Sequence, residues 1–151
     1  MDKKESAKRI NVVSIKMVKE SSILYDIRKI QAQKDAVELG KRFIEESDRE
    51  QLLVCCLDTK NQPTTINVVS VGNLNNSLVH PREVFKPAIL SNSASIILFH
   101  NHPSGDPTPS KEDTNITERL KECGNILGIK LIDHIIIGDN SYYSLKEKEI
   151  I

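Results

Sequence analysis

The strongest constraint on this chain is a set of short apolar runs set between helical patterns. Glu50–Asp58 (EQLLVCCLD), Ser95–His100 (SIILFH) and Ile129–Ile137 (IKLIDHIII) are dense in branched apolar residues and too short for helices. TTINVVSV (64–71) follows the first run across the turn Thr59–Pro63, so those two segments read as a hairpin. INVVSIKMV (10–18) reads as another strand and Tyr142–Leu145 as the last, after a turn at Gly138–Asn140. A hairpin demands antiparallel neighbours, whereas helices between strands imply crossovers. The expected class is therefore α/β (α+β), a single domain with a mixed sheet covered by helices rather than a doubly wound parallel sheet.

Three helices are expected. The first opens at Asp35 as cap, with Glu38 completing a capping-box pattern, and buries Ala36, Val37, Gly40, Phe43 and Ile44. The second has Pro81 in its first turn and is kinked or shortened by Pro87. The third opens at Ser110, turns Ile116, Leu120, Cys123 and Leu127 inward, and ends at Gly128. Stretch 19–34 gives no clean period. Residues 1–10 are expected to be a flexible N-terminus and 11–151 the folded domain.

The 151 residues carry 21 Lys+Arg against 21 Asp+Glu, a balance that argues against a domain built to neutralise phosphates. No apolar run approaches the ~20 residues of a membrane span, and the charged head MDKKESAKRI lacks a signal peptide's apolar stretch. Cys55, Cys56 and Cys123 fit neither a disulfide framework nor a Cys-x-x-Cys zinc ribbon. They are expected as reduced, buried thiols in a cytoplasmic protein, Cys55 and Cys56 on opposite faces of their strand.

Chemistry concentrates in HNHPSGDPTPSKED (100–113). His100 and His102 lie two apart at a strand end, so both imidazoles share one face, and a Pro- and Gly-rich loop then delivers Asp113 to the first turn of a helix. Two His and one Asp leave a fourth position of a tetrahedral Zn²⁺ open, as in catalytic sites, although Fe²⁺ or Mn²⁺ also suits these donors. Taken alone, a His-x-His at a strand end is more often polar decoration of the sheet rim than a metal site, and Ser110 with Asp113 has a purely structural reading as a helix cap. A metal-dependent hydrolase also needs a carboxylate base. Glu50, Glu83, Glu45 and Glu46 are the candidates, with Glu50 mildly favoured by its place at a strand start.

His100-x-His102, seven residues, Ser110, two residues and Asp113 resembles the JAMM metalloprotease signature of JAB/MPN domains. With HPREVFKPAI (80–89) and LIDHIIIGDNSYYSL (131–145), the text from about Val12 onward resembles the RadC-like family of bacterial JAMM-domain proteins. That resemblance implies a curved mixed sheet flanked by helices, topologically similar to deaminases. It also implies one zinc per chain on His100, His102 and Asp113, Glu50 as the base, and Ser110 as donor to the oxyanion. The implied activity is hydrolysis of a peptide or isopeptide bond in a peptide or protein substrate. The alternatives are a non-catalytic interaction module and a DNA-repair role. Neutral charge and the lack of room for a helix-hairpin-helix region count against nucleic acid as a partner. Asn73 replaces the threonine of the family's Gly-Thr-Leu-Asn loop. His134 is expected to be a buried structural histidine and His80 a helix-entry residue.

Overall fold

Five strands in the order β2-β1-β3-β4-β5 form one mixed sheet. The computed structural model describes residues 2–44, 46–72 and 79–151. In chain order the elements are α1 (Gln33–Ile44), β1 (Gln51–Leu57), β2 (Pro63–Val71), α2 (Pro81–Leu90), β3 (Ser95–Asn101), α3 (Lys111–Leu127), β4 (Lys130–Gly138) and β5 (Ser141–Ser144). The β1–β2 hairpin is antiparallel, as are the pairs β1–β3 and β4–β5. Only β3 and β4 run parallel, because α3 carries the chain back between them. This is the expected α+β fold with a helix-flanked mixed sheet.

Strand alternation divides the core in two. Leu52, Val54, Cys56, Ile96 and Leu98 face α2 and α3, where Val84, Phe85, Ala88, Ile116 and Leu120 meet them. Leu53, Cys55, Leu57, Ile97, Phe99, Ile135 and Ile137 face α1, against Ala36, Val37, Leu39 and Ile44. Cys55 and Cys56 thus fall on opposite faces, both buried, while Cys123 is half-buried and all three are free thiols. Strands β1 and β3 are covered on both sides, which is why they read as unbroken apolar runs.

Several local expectations change. Helix α1 begins at Gln33, before Asp35, whose carboxylate accepts the Ala32 and Gln31 N–H groups at 3.1 and 2.9 Å. Asp35 therefore caps the helix from inside its first turn rather than from the N-cap position. Phe43 and Leu127 lie largely outside the core, and Leu39 takes the inward position on α1. The second helix continues through buried Pro87 to Leu90. Most consequential, residues 10–18 form no strand. Their apolar side chains stand in solvent, Ile10 90% and Val12 100% exposed, because no neighbouring strand pairs with them. Among the described residues no helix is long and apolar enough to cross a membrane.

Candidate metal centre

The rim where β1 begins and β3 ends gathers the titratable side chains. Register places Leu52 opposite His100, so Glu50, just before β1, projects beside the imidazole. His100 lies on the α3 side of the sheet and is 1% exposed. After β3, the His102 N–H donates to Ile137 O at 2.9 Å and the Gly105 N–H to His102 O at 2.9 Å, which turns the chain sharply. The loop rests on the β4–β5 turn through two glycines. A Cβ on Gly138 would lie 2.2 Å from Gly105 O, and Gly105 itself has φ +93°.

From there the chain enters α3 through a complete capping box. Ser110 Oγ accepts the Asp113 N–H at 3.1 Å, and the Asp113 carboxylate accepts the Ser110 N–H at 2.8 Å. The cap therefore holds Asp113 with its carboxylate turned to the two histidines. Asp113 Oδ2 is 3.2 Å from His102 Nε2, and Asp113 Oδ1 is 3.5 Å from His100 Nδ1. On the other side, Glu50 Oε2 is 3.9 Å from His100 Nε2. Glu50, His100 and His102 each offer a donor atom within 4.8 Å of the other two. The two imidazoles meet edge to face, with centroids 4.7 Å apart.

The electrostatics suit a cation. Burial, reinforced by His134, drives His100 down to about 3 despite Asp113, so the ring is neutral with lone-pair density available. Both its nitrogens are buried and without a hydrogen-bond partner. Such a group costs free energy unless something else coordinates it. Asp113's burial opposes ionisation, but His102, the Ser110 N–H and the nearby imidazoles outweigh it and hold the carboxyl at about 2. His102 is raised, first by its bond with Asp113 and further by Asp106 O, which lies 2.8 Å from Nδ1 and leaves Nε2 facing the cluster. The donor set thus joins the neutral His100 imidazole to a carboxylate, with His102 Nε2 turned to the same cluster, the residue types of a divalent-ion site.

Two residues outside the expected set support it. Asn101, between the histidines and therefore on the opposite face, accepts the Gln51 N–H at 2.7 Å and donates to Arg49 O at 2.8 Å. Its amide grips the backbone on both sides of Glu50. His134, completely buried, bonds through Nδ1 to the Thr117 hydroxyl at 2.6 Å, while its Nε2 has no partner. Its ring lies 6.1 Å from that of His100. Thr117 in turn donates to Asp113 O at 2.6 Å, tying this pair to the helix turn that carries the carboxylate. Spacing alone gives no sign of the Asn101 grip, which depends on β1 and β3 being neighbours.

The other candidate carboxylates stand apart. Glu83 is held by Lys86 at 2.8 Å on the surface of α2. Glu46 is exposed in the turn after α1. Glu45 and Asn73 fall outside the described residues. His80 precedes α2 as its N-cap residue but makes no side-chain cap bond.

Residues 30–150 match the family described as the RadC-like JAB domain. A UPF0758 protein of Clostridium beijerinckii is 58% identical over 123 residues, covering 82% of this chain and 54% of that protein. A UPF0758 protein of Clostridium botulinum is 64% identical over 100 residues, 66% of this chain and 44% of that protein. One from Methanosarcina barkeri is 52% identical over 121 residues, 80% and 53% respectively. The chain spans about half the length of the curated relatives it matches. A family match across four-fifths of the chain, on a helix-flanked mixed sheet, places it: the chain belongs to the RadC-like JAB domain family.

Proposed function

We propose that the protein is a zinc-dependent hydrolase of peptide or isopeptide bonds, with His100, His102 and Asp113 holding the ion. The observation that carries this reading is the deeply buried, neutral His100, with both nitrogens unpartnered, between two carboxylates and beside a second imidazole. The Asp113 contacts at 3.2 and 3.5 Å also suit a tetrahedral ion. Ligands about 2.0–2.1 Å from zinc are separated by roughly 3.4 Å. Bound zinc would supply Lewis acidity, making a water nucleophilic near neutral pH and polarising the scissile carbonyl.

Burial divides the work between the carboxylates. Asp113 is almost fully enclosed and anchored by the Ser110 N–H, which suits a permanent anionic ligand. Glu50 retains 26% exposure of its side chain, so it can exchange protons with solvent and substrate. It accepts the proton of the attacking water and delivers it to the departing nitrogen. The Ser110 hydroxyl oxygen is engaged as acceptor of the Asp113 N–H. Its hydrogen therefore remains free to donate to the oxyanion that forms on the carbonyl oxygen.

The decisive measurement couples metal content to turnover. Purified protein is expected to hold one zinc per chain, which His100→Ala and Asp113→Ala abolish. Glu50→Gln should keep the metal and lose hydrolysis of peptide and isopeptide substrates. A protein with no stoichiometric divalent ion overturns the reading. Glu50→Gln with full activity removes Glu50 as the base.

A further inference from the structure

The apolar segment that forms no strand repeats the sequence of one that does. Ile10-Asn11-Val12-Val13-Ser14 is identical to Ile66-Asn67-Val68-Val69-Ser70 in the middle of β2. The same five residues therefore adopt a paired strand in one place and stand unpaired in another. In the first place Val12 is 100% and Val13 75% exposed, and Ile15 and Val18 are similarly bare. No backbone or side-chain hydrogen bond joins Asp2–Ser22 to the other described residues. The arm is anchored only beyond that stretch, where Arg42 donates to Leu24 O at 2.8 Å and the Ile30 N–H to Asn61 O at 2.9 Å. The family match begins at residue 30, so the arm lies outside the shared domain.

The sheet offers a matching partner. Strand β2 lies at one end of the strand order, and its nine residues, PTTINVVSV, contain no charged side chain. Soluble proteins usually protect such an edge with lysines, shortness or a covering element. The opposite edge, β5, has only four residues and is followed by the charged stretch Lys146–Glu149. Val68 and Val71 on β2 are half-exposed, so the edge is apolar in side chain, and among the described residues no strand pairs with its outer side.

We infer that residues 10–18 of one copy add as an extra strand to the β2 edge of a second copy, giving a symmetric dimer by reciprocal exchange of arms. The occupant is chosen by the sequence it carries. INVVS is compatible with this sheet because it is already part of it, and its β-branched residues suit a pleated surface. A nine-residue arm matches a nine-residue edge. Reciprocal exchange closes on itself at two copies, because each arm is used once and each β2 edge is covered once. In the single chain residues 10–18 pair with no strand among the described residues, and a second copy supplies an edge identical to this chain's own.

Sedimentation velocity and hydrogen exchange on the full chain test this. The wild type is expected at twice the 17.0 kDa of one chain, with slow exchange in 10–18 and in the outward amides of 64–71. Val12→Pro combined with Ile15→Pro removes one N–H of each parity from the arm, so one of them faces the partner in any register. Because no hydrogen bond ties the arm to the other described residues, the variant should retain the wild-type circular dichroism. It should sediment as one chain, with exchange at least tenfold faster in both segments. A wild type that stays monomeric at all concentrations overturns the inference, whether its arm is free or folded on its own edge. So does a dimer that survives the double substitution, or one that protects the arm and leaves β2 unaffected.

Discussion

Asn101 shows how one side chain between two others can matter as much as they do. His100 and His102 point to the cluster, and the alternation of a strand sends Asn101 the other way, onto Arg49 O and the Gln51 N–H. Those bonds continue the β1–β3 ladder one step past its last paired residues, Leu52 and His100, and fix the backbone that carries Glu50. Asn101→Leu keeps the volume and removes the grip. Metal content should remain at the wild-type level while turnover falls by roughly ten- to a hundredfold, as expected when a reacting group is displaced by about an ångström. Zinc analysis beside kcat and KM checks this, and a fall confined to KM would assign Asn101 to substrate binding instead.

The buried imidazoles set the acid sensitivity of the metal-free protein. His134 is driven down to about 4 by complete burial, against an attraction from Asp113 and with a smaller push from His102. His100 is held at about 3. In the unfolded chain both take up protons near 6.5 and the folded state does not, so stability is full above that value and declines as pH falls toward 4. His102, raised by Asp113, acts in the opposite sense around neutrality, so the net decline belongs below about pH 6. Urea titrations between pH 7 and 4.5 should lose on the order of 3 kcal/mol, and His134→Gln should flatten that slope.

At the scale of elements, the strand–loop–helix unit β3–α3 is the device that assembles the cluster. Its strand presents two imidazoles on one line, and its helix begins with a capping box that aims Asp113 back at them. The loop between must be held down, and Gly138 makes that contact possible. A Cβ there would collide with Gly105 O at 2.2 Å, backbone against backbone, so neither side can yield by turning a side chain. Gly138→Ala should lift the HPSG loop from the β4–β5 turn and move His102 away from Asp113. The expected result is zinc affinity weakened at least tenfold in a protein that still folds, read by competition with a chromophoric chelator. Unchanged affinity would show that the loop tolerates the displacement.

For the whole molecule, the proposed metal binding would be linked to folding. The proposed ligands come from the end of β3 and the first turn of α3, and unfolding releases the loop that brings Asp113 back to the two histidines. An ion bound only by the folded state stabilises it by about 2.7 kcal/mol at a hundredfold excess over Kd. Zinc should raise the melting temperature of wild-type protein in a concentration-dependent way, and leave that of His100→Ala unchanged. Calorimetry with and without chelator checks both outcomes.

Much of this architecture was legible in the residues. The apolar runs that became β1 and β3, the INVVS-bearing hairpin partner β2, and the start of α3 at Ser110 are fixed by local pattern, as is the sharing of one face by His100 and His102. These depend on periodicities of two and about 3.6, which a sequence displays directly. What the sequence did not display depends on distance in space. That the carboxylate of Glu50 lies by His100 follows from β1 pairing with β3, and the Asn101 grip follows from the same pairing. Asp35 moved inward because the turn before α1 used its carboxylate for two N–H groups at once. Residues 10–18 have every local mark of a strand, identical in five positions to one that forms, and remain unpaired in the single chain. Strand propensity is local, but a strand exists only where another supplies its hydrogen bonds, and that partner is decided by tertiary structure alone.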